Sequence, residues 1–167
     1  MKTNLRRAAF AATLSLAAAT PAFAQTAQGD LSVSASVSKN CIVSASPMSF
    51  GSVDVTNGQS VDSTAELSVR CTSGTDWTAT ADAGLGTGAT TAARRMQNGA
   101  NLLGYTLYTD SARTNVWDDG EGEAANAIEG VGNGSAQLAT IYGRVFSGQN
   151  SLPSGDYADT VQVTVAY

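Results

Sequence analysis

The sequence predicts an all-β fold, a sandwich of short antiparallel strands. Three observations predict it. Apolar residues recur at every second position in several short runs separated by turn residues, the signature of strands with one buried face. The 167 residues include 17 Gly and only 14% charged residues, a balance that suits short strands and turns better than long surface helices. No segment beyond the first two dozen residues sustains a helical period. The length suits one domain with a processed leader.

The leader comes first. Lys2, Arg6 and Arg7 make a positive start, Ala8 to Ala19 is apolar apart from Thr13 and Ser15, and Ala22-Phe23-Ala24 has the small-x-small cleavage pattern. Residues 1–24 are therefore expected to be a secretory signal peptide, cleaved after Ala24. Its apolar stretch is too short to span a bilayer. Arg6-Arg7 hints at twin-arginine export, but Phe10 stands one place late for that motif, so the general secretory route is expected. Losing Lys2, Arg6 and Arg7 takes the net charge from -5 to -8. Export also gives Cys41 and Cys71 an oxidising compartment, and a disulfide is the expected state. Their spacing is unlike a C-x-x-C redox pair. A loop of this size contributes roughly 3–4 kcal/mol in the chain-entropy model.

The strands follow in order. Residues 31–37 alternate without a break, with Leu31, Val33, Ala35 and Val37 on the apolar side. Read from the pattern alone, this is the first strand of the sandwich. Cys41-Ile42-Val43 leads to a turn-rich patch at Ser46-Pro47, then Phe50-Gly51, Val53, Val55 and the turn signal Asn57-Gly58. Residues 61–71 place Val61, Ala65, Leu67, Val69 and Cys71 on one face against Asp62, Glu66, Ser68 and Arg70. Trp77, Ala79 and Ala81 continue the pattern. Residues 84–91 read as a loop, 102–108 as a strand, and the Gly-rich acidic stretch 118–134 as a long loop. Residues 138–146 form another expected strand, and 147–155 a turn containing Pro153. The last run puts Tyr157, Val161, Val163, Val165 and Tyr167 on one face, with Asp159 interrupting the apolar series. A strand that runs into a terminal aromatic suggests an end held in place by something, since most termini are loose.

Much chemistry is excluded. The chain has no histidine, so it has no Ser-His-Asp triad, no Cys-His pair and no histidine-ligated metal site. Two cysteines cannot close a zinc site alone. The acidic balance speaks against a nucleic-acid partner, which needs a basic face. No catalytic residue, metal or cofactor is expected, and nothing in the carboxylate spacing predicts a glycosidase pair. Asp118, Asp119, Glu121, Glu123 and Glu129 do not fit the EF-hand spacing, and a solvated loop is preferred to a calcium site. Trp77 and Trp117 read as core aromatics in preference to a sugar platform. Arg94-Arg95 is too short for a nucleic-acid patch and is expected to pair with the acidic surface.

Taken together, Cys41, Phe50-Gly51, Cys71, Arg95-Met96, Leu103-Gly104-Tyr105 with Leu107-Tyr108, Trp117, Tyr142-Gly143, and Gly155-Asp156-Tyr157 leading through Asp159 to Val161, Val163, Val165 and Tyr167 form an ordered pattern. In that pattern the chain resembles the spore coat protein U domain family, which includes pilin subunits of archaic chaperone–usher pili. The resemblance covers most of the chain beyond the leader. It implies an incomplete immunoglobulin-like β-sandwich, residues 41–167, that lacks its last strand and is completed by a donor strand from a neighbouring subunit. Residues 25–40 become an N-terminal donor-strand extension, with Leu31, Val33, Ala35 and Val37 entering the neighbour's groove. Tyr157, Val161, Val163, Val165 and Tyr167 become the groove strand that a chaperone or donor binds. The implied partners are a periplasmic pilus chaperone, an outer-membrane usher and identical or related subunits in a head-to-tail filament at the cell surface, with adhesion and biofilm formation as the role. Two alternatives remain open: a secreted coat protein of a spore or cell envelope, and a self-contained secreted carbohydrate-binding module.

Overall fold

A computed structural model describes residues 23–120 and 126–167. The expected leader, apart from Phe23 and Ala24, lies outside the described residues, as do Glu121 and Glu123 of the acidic loop. The chain divides into two units, Met1–Ala35 and Ser36–Tyr167. In the first, residues 23–35 form no helix or strand.

The second unit is all-β among its described residues, with eight strands: β1 (Cys41–Ala45), β2 (Val61–Cys71), β3 (Asp76–Ala81), β4 (Arg94–Asn98), β5 (Asn101–Tyr108), β6 (Ile128–Val131), β7 (Gln137–Val145) and β8 (Val163–Ala166). They form a five-stranded sheet in the order β1-β2-β7-β5-β4 and a three-stranded sheet in the order β6-β3-β8. Every pairing is antiparallel.

The alternating pattern sets which side of each strand is buried. Leu67, Val69 and Cys71 of β2, Leu103, Tyr105 and Leu107 of β5, and Ile141 and Val145 of β7 form the inner face of the large sheet. Trp77, Ala79 and Ala81 of β3 answer them from the small sheet, with Val163 and Val165 of β8 packed beside them. Trp117 is fully buried, and its indole Nε1 donates to Ala79 O at 3.0 Å. The Trp77 indole donates to Gln137 Oε1 at 3.3 Å. Both tryptophans thus belong to the core.

Cys41 and Cys71 are direct partners in the β1–β2 ladder and form a disulfide. This ties the start of β1 to the end of β2.

Two strands depart from the expected outline. β4 is hidden in the sequence because the residue it turns into the core is Arg94. β6 lies inside the stretch expected to be a long loop. It pairs there because Gly130 stands opposite Trp77, where a Cβ would come within 2.5 Å of the indole.

Arg94 also corrects the expectation of a surface ion pair. It has no exposed surface, and its guanidinium donates to the carbonyls of Asp82, Ala81, Thr91 and Trp117 at 2.7–3.0 Å. One buried side chain thereby joins β4 to the end of β3 and to the segment carrying Trp117. Burial, the largest influence, pulls its pKa below the ordinary arginine value. The ion pairs present among the described residues are instead Asp62 with Arg144 and Arg113.

Candidate functional site

The site is an opening along one side of the sandwich. β1 is an edge strand of the large sheet and β8 an edge strand of the small one, so each has one side without a strand partner among the described residues. Between the chain following β1 and the chain preceding β8 lies a cleft of about 370 Å³. One wall is Ala45 to Met48 with Phe50. The other is Tyr157 to Asp159 with Val161 and Val163. Its floor is the core itself, through Ala65, Leu107, Trp117 and Ile141. At residues 48–50 it adjoins a second, wider hollow of about 760 Å³. Met48, Phe50, Met96 and Tyr157 line both.

The first wall stands where it does because β7 carries Gly143. A Cβ there would overlap Met48 Sδ and lie 2.9 Å from Phe50 Cζ. Without that Cβ, Met48 and Phe50 settle onto the sheet, and the Phe50 ring meets the Tyr105 ring edge-on with centroids 6.1 Å apart.

The second wall changes sheets as it runs. Ala158 exchanges backbone hydrogen bonds with Gln97 at the β4 edge, at 2.8 and 3.1 Å. Four residues later Gln162 is bonded to Asp82 through both its N–H and its carbonyl. β8 then pairs with β3. Asp159 sits at the crossing. Its carboxylate accepts from the Tyr105 hydroxyl at 2.6 Å and from the amides of Leu85 and Thr160, both at 2.8 Å. Burial, and then the Asp159 carboxylate, push the Tyr105 pKa well above its ordinary value, so the hydroxyl keeps its proton.

The residues expected to form the groove strand divide into two groups. Tyr157, Val161 and Val163 line the cleft. Val165 packs partly buried against the core, opposite Ala79. Tyr167 is 56% exposed, with its hydroxyl 3.5 Å from Asn40 Oδ1. Of residues 157–167, only Val163–Ala166 is strand. Among the residues expected to be donated, Leu31, Val33, Ala35 and Val37 are all exposed and lie in no strand.

Sequence reasoning missed the opposite wall, Met48 with Phe50, because no alternation marks it. It also missed the role of Asp159, although the break in an otherwise apolar series was the available signal. Among the described residues no three metal-ligating side chains gather.

The model of the Spore Coat Protein U domain matches residues 27–164. The chain belongs to the Spore Coat Protein U domain family. Protein U of Myxococcus xanthus is 35% identical over 175 residues, an alignment covering 96% of each chain. A solved structure that shares the fold is a chaperone–tip adhesion subunit pre-assembly complex from the archaic chaperone–usher Csu pili of Acinetobacter baumannii. It matches with a TM-score of 0.58 at 18% identity, over 78% of this chain and 40% of that one. The Spore Coat Protein U domain match starts at residue 27 and so takes in the alternating segment 31–37 as well as the sandwich as far as Thr164 in β8.

Proposed function

We propose that this Spore Coat Protein U domain chain is a structural subunit of a chaperone–usher surface pilus, polymerising by donor-strand complementation and supporting adhesion and biofilm formation. The observation that carries this reading is the cleft between residues 45–50 and 157–163, floored by core residues and bordered by strand edges that have no strand partner among the described residues. An opening of that kind in a sandwich is an invitation to β-augmentation. Its occupant in the fibre is residues 31–37 of a second copy. Leu31, Val33, Ala35 and Val37 enter the cleft, and Ser32, Ser34 and Ser36 face away. Tyr157, Val161 and Val163 receive them, with Val165 and Tyr167 continuing the same strand.

The chemistry of the segment supports the assignment. Leu31, Val33 and Val37 are 84–87% exposed, an unusual cost for three apolar residues in register unless they have a partner. Before assembly, a periplasmic chaperone covers the cleft, which would otherwise aggregate. The outer-membrane usher then exchanges chaperone for donor. Head-to-tail donation does not close on itself, so the product is a filament on the cell surface. The resemblance in fold to a subunit captured with its chaperone supports the same partner here.

Deleting residues 25–37 is the test. The truncated subunit should still be recovered with its chaperone and should form no fibres by electron microscopy. Fibres of normal length from the deleted form would remove the donor assignment.

The whole-length match to Protein U favours a second reading, a coat-layer protein of a spore or cell envelope built on the same fold. Assembly into an ordered layer without any chaperone or usher would select it.

A further inference from the structure

We propose that Asp159 is the positioning residue of the groove: its carboxylate holds the C-terminal wall in the path that turns Val161 and Val163 toward the incoming strand. The inference rests on the groove reading above and adds to it a specific determinant.

Three observations converge on Asp159. The first is its place, where the chain leaves the β4 edge at Ala158 and crosses to the small sheet at Gln162. A crossing segment has no ladder of its own, so its course depends on side-chain contacts. The second is the number and nature of its partners. It accepts from Tyr105 of the large sheet, from Leu85 in the loop after β3 and from Thr160 in its own segment. Hydrogen bonds to an ionised acceptor are roughly twice as strong as neutral ones. The third is the space left for it. Gly84, at a φ of +79°, approaches so closely that a Cβ there would overlap the Asp159 carboxylate. The loop is built around the charge.

A carboxylate in the wall of an apolar cleft is otherwise a liability, since it costs desolvation when a strand covers it. With its oxygens already taken by Tyr105, Leu85 and Thr160, Asp159 presents the cleft with a satisfied group. Gln97 braces the same junction, donating through Nε2 to Leu85 O at 3.0 Å while its backbone holds Ala158. The wall is thus fastened to β4, to β5 and to the loop after β3, while Val161 and Val163 line the cleft.

The test compares Tyr105→Phe, Asp159→Asn and the double variant with Val69→Ala, a core change in β2 outside the cleft lining. The probe is a labelled synthetic peptide of residues 25–37, offered to the exported full chain. Amide exchange at Leu85 and Thr160 is followed in parallel. Tyr105→Phe and Asp159→Asn should each weaken peptide binding about tenfold and speed exchange at both amides. The double variant should be little worse than either, because the two residues act as one contact. Val69→Ala should lower the melting temperature and leave peptide affinity within about twofold. If the two single variants lose stability but bind the peptide as the wild type does, Asp159 is only structural and the proposal is overturned. If the wild type itself takes up no peptide, the groove reading fails, and the proposal fails with it.

Discussion

The hydroxyl of Tyr105 donates to Asp159 Oδ2 at 2.6 Å, joining the middle of β5 to the segment that precedes β8. Fifty-four positions separate the two residues in sequence. The bond connects the floor of the large sheet to the wall of the cleft, and its consequences reach beyond the site.

One consequence is a pH dependence at the alkaline end. A tyrosine in the unfolded chain ionises near 10.0, whereas Tyr105 in the fold is held protonated well above that. The folded state therefore keeps a proton that the unfolded state releases. The stabilisation is complete below about pH 10 and is lost as pH rises beyond it. Urea unfolding of the wild type should weaken above that pH more steeply than that of Tyr105→Phe. At neutral pH the variant should be less stable by about 1.5–3 kcal/mol, the range for a hydrogen bond to a charged group. Equal alkaline slopes for the two proteins would contradict the account.

Arg94 should tolerate substitution poorly. Its four carbonyl partners are drawn from β3, the loop after it, the loop before β4 and the segment of Trp117. Arg94→Met fills much of the volume but leaves these acceptors without donors, each costing about 1–3 kcal/mol when buried. A loss of at least about 3 kcal/mol in chemical denaturation is expected. Arg94→Lys should recover part of it, since an ammonium supplies fewer donors in a different geometry.

Gly143 should be intolerant of bulk for a reason specific to the cleft. Gly143→Val places a branched side chain where Met48 and Phe50 now lie. Overpacking of this sort costs about 1–3 kcal/mol. The Phe50–Tyr105 ring contact should be lost, visible as a change in near-ultraviolet circular dichroism. Gly143→Ala should be milder, because the Met48 side chain is flexible enough to move aside.

Breaking the disulfide should loosen β1. Cys41→Ala with Cys71→Ala removes a link across 30 positions, with an expected loss of roughly 3–4 kcal/mol. Amide protection should fall first in Cys41–Ala45, the edge strand held by that bond. Uniform loss of protection throughout both sheets would argue for a global role instead.

The surface pair of Asp62 and Arg144 should matter little, despite its two bonds of 2.7 and 2.8 Å. The Arg144 hydrogen bond holds the Asp62 carboxyl below its ordinary value, so what it contributes is present at neutral pH and lost only as pH falls through that depressed value. Both side chains are more than one-third exposed, and pairs of this kind are worth about 0–1 kcal/mol. Asp62→Asn should shift the unfolding midpoint by no more than that.

The core strands were legible in the amino-acid order, because burial of one face writes a period of two into the residues. β2, β5 and β7 could be located from Leu67 and Val69, from Leu103 to Leu107, and from Ile141 and Val145. The disulfide between Cys41 and Cys71 was expected from there being two cysteines behind a leader-like stretch, and the fold contains it. β4 and β6 left no such mark. β4 buries an arginine, an exception to the rule that apolar residues point inward, and β6 is so short that Ile128 and the half-buried Gly130 are all that it turns toward the core. The cleft was beyond reach for a different reason. Its walls, residues 45–50 and 157–163, lie more than 100 positions apart, and local periodicity carries no information about which distant segments face each other. The same holds for Asp159. Along the chain it is an interruption in a strand. Its meaning came only when packing brought Tyr105 and Leu85 to its oxygens, because a charge is stabilised by partners in space and not by its neighbours in sequence.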